Sequence, residues 1–156
     1  MKIAYQGVAG SYSESCAKKM YPKCETIPCK TFDECFERSS EDSSIRSLIP
    51  ESNKTTGNIG VEYLIFKYRL NIYAEHFFPI NHNLLGLKNS KIEDIKDVYS
   101  HAQALSQSSS FIKKKKFIEN VRADTAGSAK FVSETKDKSK AAIASSLSAE
   151  IYGLKI

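Results

Sequence analysis

Nowhere in the chain do apolar residues run together for the ~20 positions that a membrane-spanning helix needs. The longest apolar run lies around Tyr63 to Phe66, so no membrane association is expected. The opening Met-Lys-Ile-Ala-Tyr-Gln-Gly has no apolar stretch ahead of a small-residue cleavage site, so no secretory signal is read and a cytoplasmic location is expected. Cysteine is scarce: Cys16, Cys24, Cys29 and Cys35 are the four present. Their spacing fits neither paired C-x-x-C zinc ligands nor a secreted disulfide framework, so reduced thiols and no metal are expected. Charge of one sign is not in large excess either. The 23 basic and 18 acidic side chains leave +5, which favours anionic partners without naming one. The one dense run, Lys113 to Lys116, sits between Phe111-Ile112 and Phe117-Ile118 and reads as a solvated helix end, not a nucleic-acid face. No Ser-His-Asp order, phosphate loop or metal-binding helix stands out. His76, His82 and His101 are too far apart to pair as ligands, and His76 and His82 read as satisfied polar groups near an extended crossing segment.

What is present is an ordinary globular composition, 41% hydrophobic over 156 residues, enough to bury a core in one domain or two small lobes. Lys2 to Gln6 alternates as a strand, and Ser11-Tyr12-Ser13-Glu14 opens a helix to Met20 through a capping box. Glu25 to Cys29 is a second strand, and the Thr31-to-Glu34 box starts a helix to about Arg38. Ile45 to Ile49 is a third strand, and Ile59 to Tyr68 has helical spacing. Asn71 to Ile80 is expected as a long strand crossing between lobes, continued by His82 to Leu87. A short helical turn at Ile92 to Ile95 follows, with strands at Asp97–Tyr99, Phe117–Arg122 and Lys140–Ala144. Helices are expected at 101–114, Thr125–Thr135 and Ser146–Tyr152. This alternation predicts an α/β protein with mostly parallel sheets and helices on both faces, divided at 1–75 and 76–156.

In such folds ligands sit where strands end and helices begin. Four loops there carry suitable polar residues. Gly7 to Ser13, with Ser11 among its hydroxyls, could cradle an anion or be a local turn. Pro50 to Gly57 offers Asn53, Thr55 and Thr56; Asn53 could meet a carboxylate or brace the turn. Ser100 and Gln103 form an S-x-x-Q capping box, but Gln107 lies one turn further along the same face, where capping cannot explain it. Gln103 and Gln107 beneath a helix N-terminus make a floor for a polar ligand. Asp124 is an N-cap candidate, Thr125 could offer hydroxyl and amide to an anion, and Gly127 permits close backbone approach.

Together, Tyr5-Gln6-Gly7 with Gly10 to Glu14, Pro79 to Gly86, Tyr99 to Ala104, Asp124 to Ala129, and Ala141 to Ser145 with Ala149 to Leu154 resemble the prephenate dehydratase family, in order along nearly the whole chain. The resemblance implies a two-lobed, type II periplasmic-binding-protein-like fold with the site in its cleft. It also implies a cofactor-free carbon–oxygen hydro-lyase of phenylalanine biosynthesis, taking prephenate to phenylpyruvate. It makes Asn53, Ser100 and Gln107 substrate contacts, with Thr125 nearby and Asp124 a supporting acid; Ser11 and Gln103 join them from the loop reading. Two departures stand out: the family's Pro-Ile-Glu-Asn-Ser loop reads Pro50-Glu51-Ser52-Asn53-Lys54, and the family's Thr-Arg-Phe, whose threonine serves the leaving hydroxyl, does not occur. From the second departure, a reading frame that continues past Ile156, weak or absent turnover by this chain, and self-association into a homodimer or larger homo-oligomer are expected. No ACT regulatory domain is read. A rival reading is a two-lobed module that holds a small anion without chemistry.

Overall fold

The computed structural model describes residues 1–53 and 57–156; Lys54 and the loop candidates Thr55 and Thr56 lie outside the described residues. The chain divides into two compact units, one of residues 1–8 and 13–79, the other of residues 9–12 and 80–156.

In the first unit β1 (Lys2–Gln6), β2 (Glu25–Cys29) and β3 (Ile45–Leu48) form a parallel sheet in the order β2-β1-β3, with Ile3 opposite both Thr26 and Arg46. The central strand buries Ile3, Ala4 and Tyr5 in succession, as a strand covered on both faces must. Helix α1 (Tyr12–Met20) carries a buried Glu14, held by the Thr26 hydroxyl at 2.9 Å and by Lys18 at 2.8 Å. Helix α2 (Phe32–Glu41) is capped as its sequence predicts: Thr31 accepts from the Glu34 N–H at 3.1 Å, while the Glu34 carboxylate accepts from the Lys30 N–H at 2.8 Å. Ala4, Cys29 and Cys35 share one small core, and burial pushes the Cys35 thiol's ionisation up, leaving it protonated and inert.

Two expectations for this unit need correcting. The segment read as a loop after Pro50 contains an antiparallel pair, β4 (Ser52–Asn53) with β5 (Gly57–Asn58), in which Asn53 faces Gly57. After α3 (Glu62–Lys67), residues 71–82 form no strand, although a long one was expected there. Strand preference is realised only against a neighbouring strand. Here Ile72, Tyr73 and Phe77 stay exposed, with Tyr73 under the Arg46 guanidinium at 3.9 Å.

In the second unit β6 (Asn83–Gly86), β7 (Asp97–Ser100), β8 (Ile118–Val121) and β9 (Lys140–Ala144) lie in the order β6-β9-β7-β8, with only β6 antiparallel to its neighbour. A 3₁₀ turn at Ile92–Asp94 links β6 to β7. Side chains of β9 alternate between faces. Ala141 and Ile143 enter a core with Val98, Leu105 and Ile112, while Ala142 and Ala144 enter one with Leu85, Ala129 and Val132.

The single helix expected over 101–114 is two, α4 (Ala102–Gln107) and α5 (Ser109–Lys115). They break at Ser108, whose N–H is shared by the Ala104 and Leu105 carbonyls, within a serine-rich stretch whose hydroxyls compete with helical bonding. Lys113 to Lys116 form the exposed end of α5, where positive charge suits the helix dipole. Helices α6 (Thr125–Thr135) and α7 (Ser146–Tyr152) fall where the sequence puts them.

Residues 9–12 are pinned within this unit. The Gly10 carbonyl accepts from the Ser145 hydroxyl at 2.5 Å and the Ser148 hydroxyl at 2.8 Å, and Tyr152 donates to the Ala9 carbonyl at 2.7 Å. Gly10 has φ +88°, and a Cβ there would lie 2.6 Å from the Ser148 Oγ, so both the turn and the close approach require glycine.

Candidate functional site

Around the start of α1, three polar side chains join into a chain. The Tyr12 phenol lies 3.0 Å from the Asn81 carbonyl and 2.8 Å from His82 Nδ1, and His82 Nε2 lies 2.7 Å from Gln107 Oε1. Burial pushes the Tyr12 phenol's ionisation up, so it keeps its proton and acts as a donor. The Tyr12 and His82 rings also meet edge to face, with centroids 5.6 Å apart, an arrangement aromatic rings prefer. His82 is therefore hydrogen-bonded at both nitrogens, and its partner is the Gln107 whose position capping could not explain. No linear pattern pairs His82 with Tyr12, because 70 residues separate them.

At the end of β7, Ser100 is fully buried and its hydroxyl donates to the Ile143 carbonyl of β9 at 2.6 Å. The capping box expected of Ser100 and Gln103 is replaced by His101, whose Nδ1 accepts from the Gln103 N–H at 3.3 Å. Ser100 thus ties β7 to β9, while Gln103 is half-buried and Gln107 exposed on α4.

At α6, Asp124 is the N-cap, accepting from the Gly127 N–H at 2.5 Å. Gly127 has a different purpose from the one expected: a Cβ there would lie 2.8 Å from the Asp124 carboxylate, so the glycine makes room for the cap. That carboxylate already complements the positive end of the helix dipole, next to the half-buried Thr125. A concavity of about 250 Å³ is lined here by Val121, Arg122, Ala123, Asp124 and Gly127. Arg122, which the sequence reading did not single out, packs over the Phe131 ring at 4.1 Å and brings a fixed cation to it.

Ser11 is half-buried in the pinned 9–12 segment, and Asn53 is half-buried in the β4–β5 pair of the other unit. The second unit therefore brings Ser11, Ser100, Gln103, Gln107, Asp124 and Thr125 into one fold, and Asn53 stands in the first. Among the described residues, no three His, Cys, Asp or Glu side chains gather as a metal site. No described helix is long and apolar enough to cross a membrane.

A family model described as prephenate dehydratase matches residues 3–156. The chain belongs to the prephenate dehydratase family. Members of this family are dehydratases of aromatic amino-acid biosynthesis, and the chain has their mixed α/β, type II periplasmic-binding-protein-like fold. It is 41% identical to arogenate dehydratase 2 of Petunia hybrida over 157 residues, covering all of this chain and 40% of that protein. Among solved structures, it matches a protein titled GqqA, a novel type of quorum quenching acylases, with a TM-score of 0.91 and 31% identity, over 100% of this chain and 57% of that one. The prephenate dehydratase from Staphylococcus aureus subsp. aureus Mu50 matches with a TM-score of 0.80 and 27% identity, over 99% of this chain and 58% of that one. The chain thus spans about two fifths of the length of the curated relatives it matches and somewhat over half of these solved chains.

Proposed function

We propose that the protein removes water and carbon dioxide from prephenate to give phenylpyruvate, and that residues 1–156 carry its substrate-binding surface. The observation that carries this reading is the family match over residues 3–156. Prephenate presents two carboxylates and a ring hydroxyl that leaves as water, and aromatisation drives the step. Binding then calls for preorganised donors more than for a nucleophile. Gln107, Gln103, Thr125 and Ser11 supply neutral donors in the second unit, Asn53 supplies another in the first, and Arg122 adds a positive charge. In this reading Ser100 acts by holding the end of β7, and Asp124 by fixing the first turn of α6.

A second reading is favoured by one observation, the 41% identity to an arogenate dehydratase. Arogenate carries an ammonium where prephenate carries a keto group, so the two differ in net charge. Titration calorimetry of the 156-residue chain with each compound separates the readings. Prephenate is expected to bind at least about tenfold more tightly, a difference of about 1.4 kcal/mol. The reverse order would transfer the assignment to arogenate, and absence of heat with both would remove it.

A further inference from the structure

We propose that the second unit holds a second ligand site, at the opposite end of its sheet from Ser100, Asp124 and Thr125, and that this site takes a small aromatic or branched aliphatic carboxylate. A cavity of about 280 Å³ lies there, walled by Leu84, Ile92, Ile95, Phe111 and Ala141. Ala141 stands near the start of β9 and Ile95 just precedes β7, so the cavity sits at the amino ends of the parallel strands. Ser100 closes β7 and Asp124 follows β8, at the carboxyl ends where ligands of such sheets ordinarily bind.

One buried polar atom faces this space. Ser90 lines the cavity and is 2% exposed, and among the described residues its hydroxyl meets no hydrogen-bond partner. Its N–H donates to the Leu87 carbonyl at 2.9 Å, which fixes the turn that carries it. A buried hydroxyl without a partner costs free energy, and a ligand oxygen that accepts from it recovers that cost. Gly86 deepens the same space: a Cβ built there would lie 3.8 Å from the Ser90 Cβ and 3.9 Å from Ile95 Cδ1, in ordinary contact. Charge sets the class of ligand. Lys91 and Lys155 line the cavity, and among the described residues no acidic side chain does. Lys155 is tied to Gly86 by backbone bonds of 3.0 and 2.9 Å, and Lys91 leads the 3₁₀ turn with its N–H on the Asp94 carboxylate at 2.8 Å. A carboxylate on an apolar body meets every demand: the body fits the walls, one oxygen accepts from Ser90, and two ammonium groups balance the charge.

The test is a ¹H–¹⁵N titration of the 156-residue chain with 3-phenylpropionate. Saturable shifts at the Gly86, Ser90 and Ile95 amides are expected, with a dissociation constant of about 0.1–1 mM for a ligand of this size. Ser90→Ala should weaken binding about three- to tenfold without lowering the melting temperature. Gly86→Ala, whose methyl enters the cavity without a clash, should weaken it too. The uncharged 3-phenylpropan-1-ol should bind about tenfold more weakly than the acid. No shift by about 10 mM, or shifts at Ser100, Gln107 and Thr125 instead, would overturn the proposal. So would equal binding of the alcohol, or a Ser90→Ala variant that melts earlier yet binds as before, which would make the hydroxyl structural.

Discussion

The two units build sheets from the same strand–helix alternation, yet among the described residues only the first leaves aromatic side chains more than half exposed. In the first, Tyr63, Phe66 and Phe77 are 64%, 82% and 88% exposed. In the second, the four residues Ala141 to Ala144 are buried on both faces of the central strand, although three of them are only alanine. The lesson is that burial follows the supply of partners, not the apolarity of the residue. A small side chain between two helical layers is covered, whereas a large one on the open side of α3, or on the segment without a ladder, is not.

Core truncation offers the sharpest way to break this comparison. Leu85 is fully enclosed in the second unit, and Leu64 belongs to a smaller cluster with Val61 and Phe36 whose neighbours are partly exposed. Leu85→Ala is expected to cost about 3–5 kcal/mol and Leu64→Ala about 2–3 kcal/mol, because the second site can collapse around the cavity. Urea unfolding, with hydrogen exchange to assign each transition, checks the order. Equal costs would show that the first unit is packed as tightly as the second.

The next effect is expected at Gly10. Gly10→Ala places a side chain at φ +88° against Ser148 and should cost about 1–3 kcal/mol. Adding Ser148→Gly should return part of that loss, leaving only the backbone strain, and a double-mutant cycle of thermal melts measures the difference.

Acid should separate the units as well. In the first, Lys67 and Tyr68 hold the Asp33 carboxyl below its ordinary range, and Arg38 and the Lys30 amide do the same for Glu34. Ser44 and Asn58 lower Asp42 and Glu62 in the same way. In the second, Lys140 holds Asp137 down. Each such group binds its proton more readily when unfolded, so its contribution is present above the unfolded value near pH 4 and is lost as pH falls below it. Amide protection is expected to fade first in the first unit. Simultaneous loss, or earlier loss in the second, would refute this.

The smallest effect expected on stability is at Gln107, an exposed helical position. Gln107→Ala should shift stability by no more than about 0.5 kcal/mol while weakening prephenate binding in calorimetry. A large fall in melting temperature with intact binding would make the residue structural.

Where local chemistry decides structure, the sequence was readable. The Thr31 and Asp124 caps, the alternation at Lys2–Gln6, and the elements from Lys140 to Tyr152 all appear where expected. Reading failed where the outcome depends on distant partners. Among the described residues the strand expected at 71–80 has no neighbour to pair with, and the Ser100 hydroxyl is taken by Ile143, 43 residues away. At the site, the spacing of Gln107 was legible because a helix repeats every 3.6 residues. The His82 ring beside it was not, because nothing in a linear pattern brings the start of α1, the approach to β6 and the end of α4 together.

The pinned segment at residues 9–12 has a consequence for how the chain reaches this structure. Its partners Ser145, Ser148 and Tyr152 lie 135, 138 and 143 positions away, so contacts between the first connection and the last helix carry very high contact order. Loop closure on that scale slows folding. A chain emerging from the ribosome must hold Ala9 and Gly10 without these partners until Ser145, Ser148 and Tyr152 have been made, so closure of that turn follows synthesis of the strands and helices that lie between.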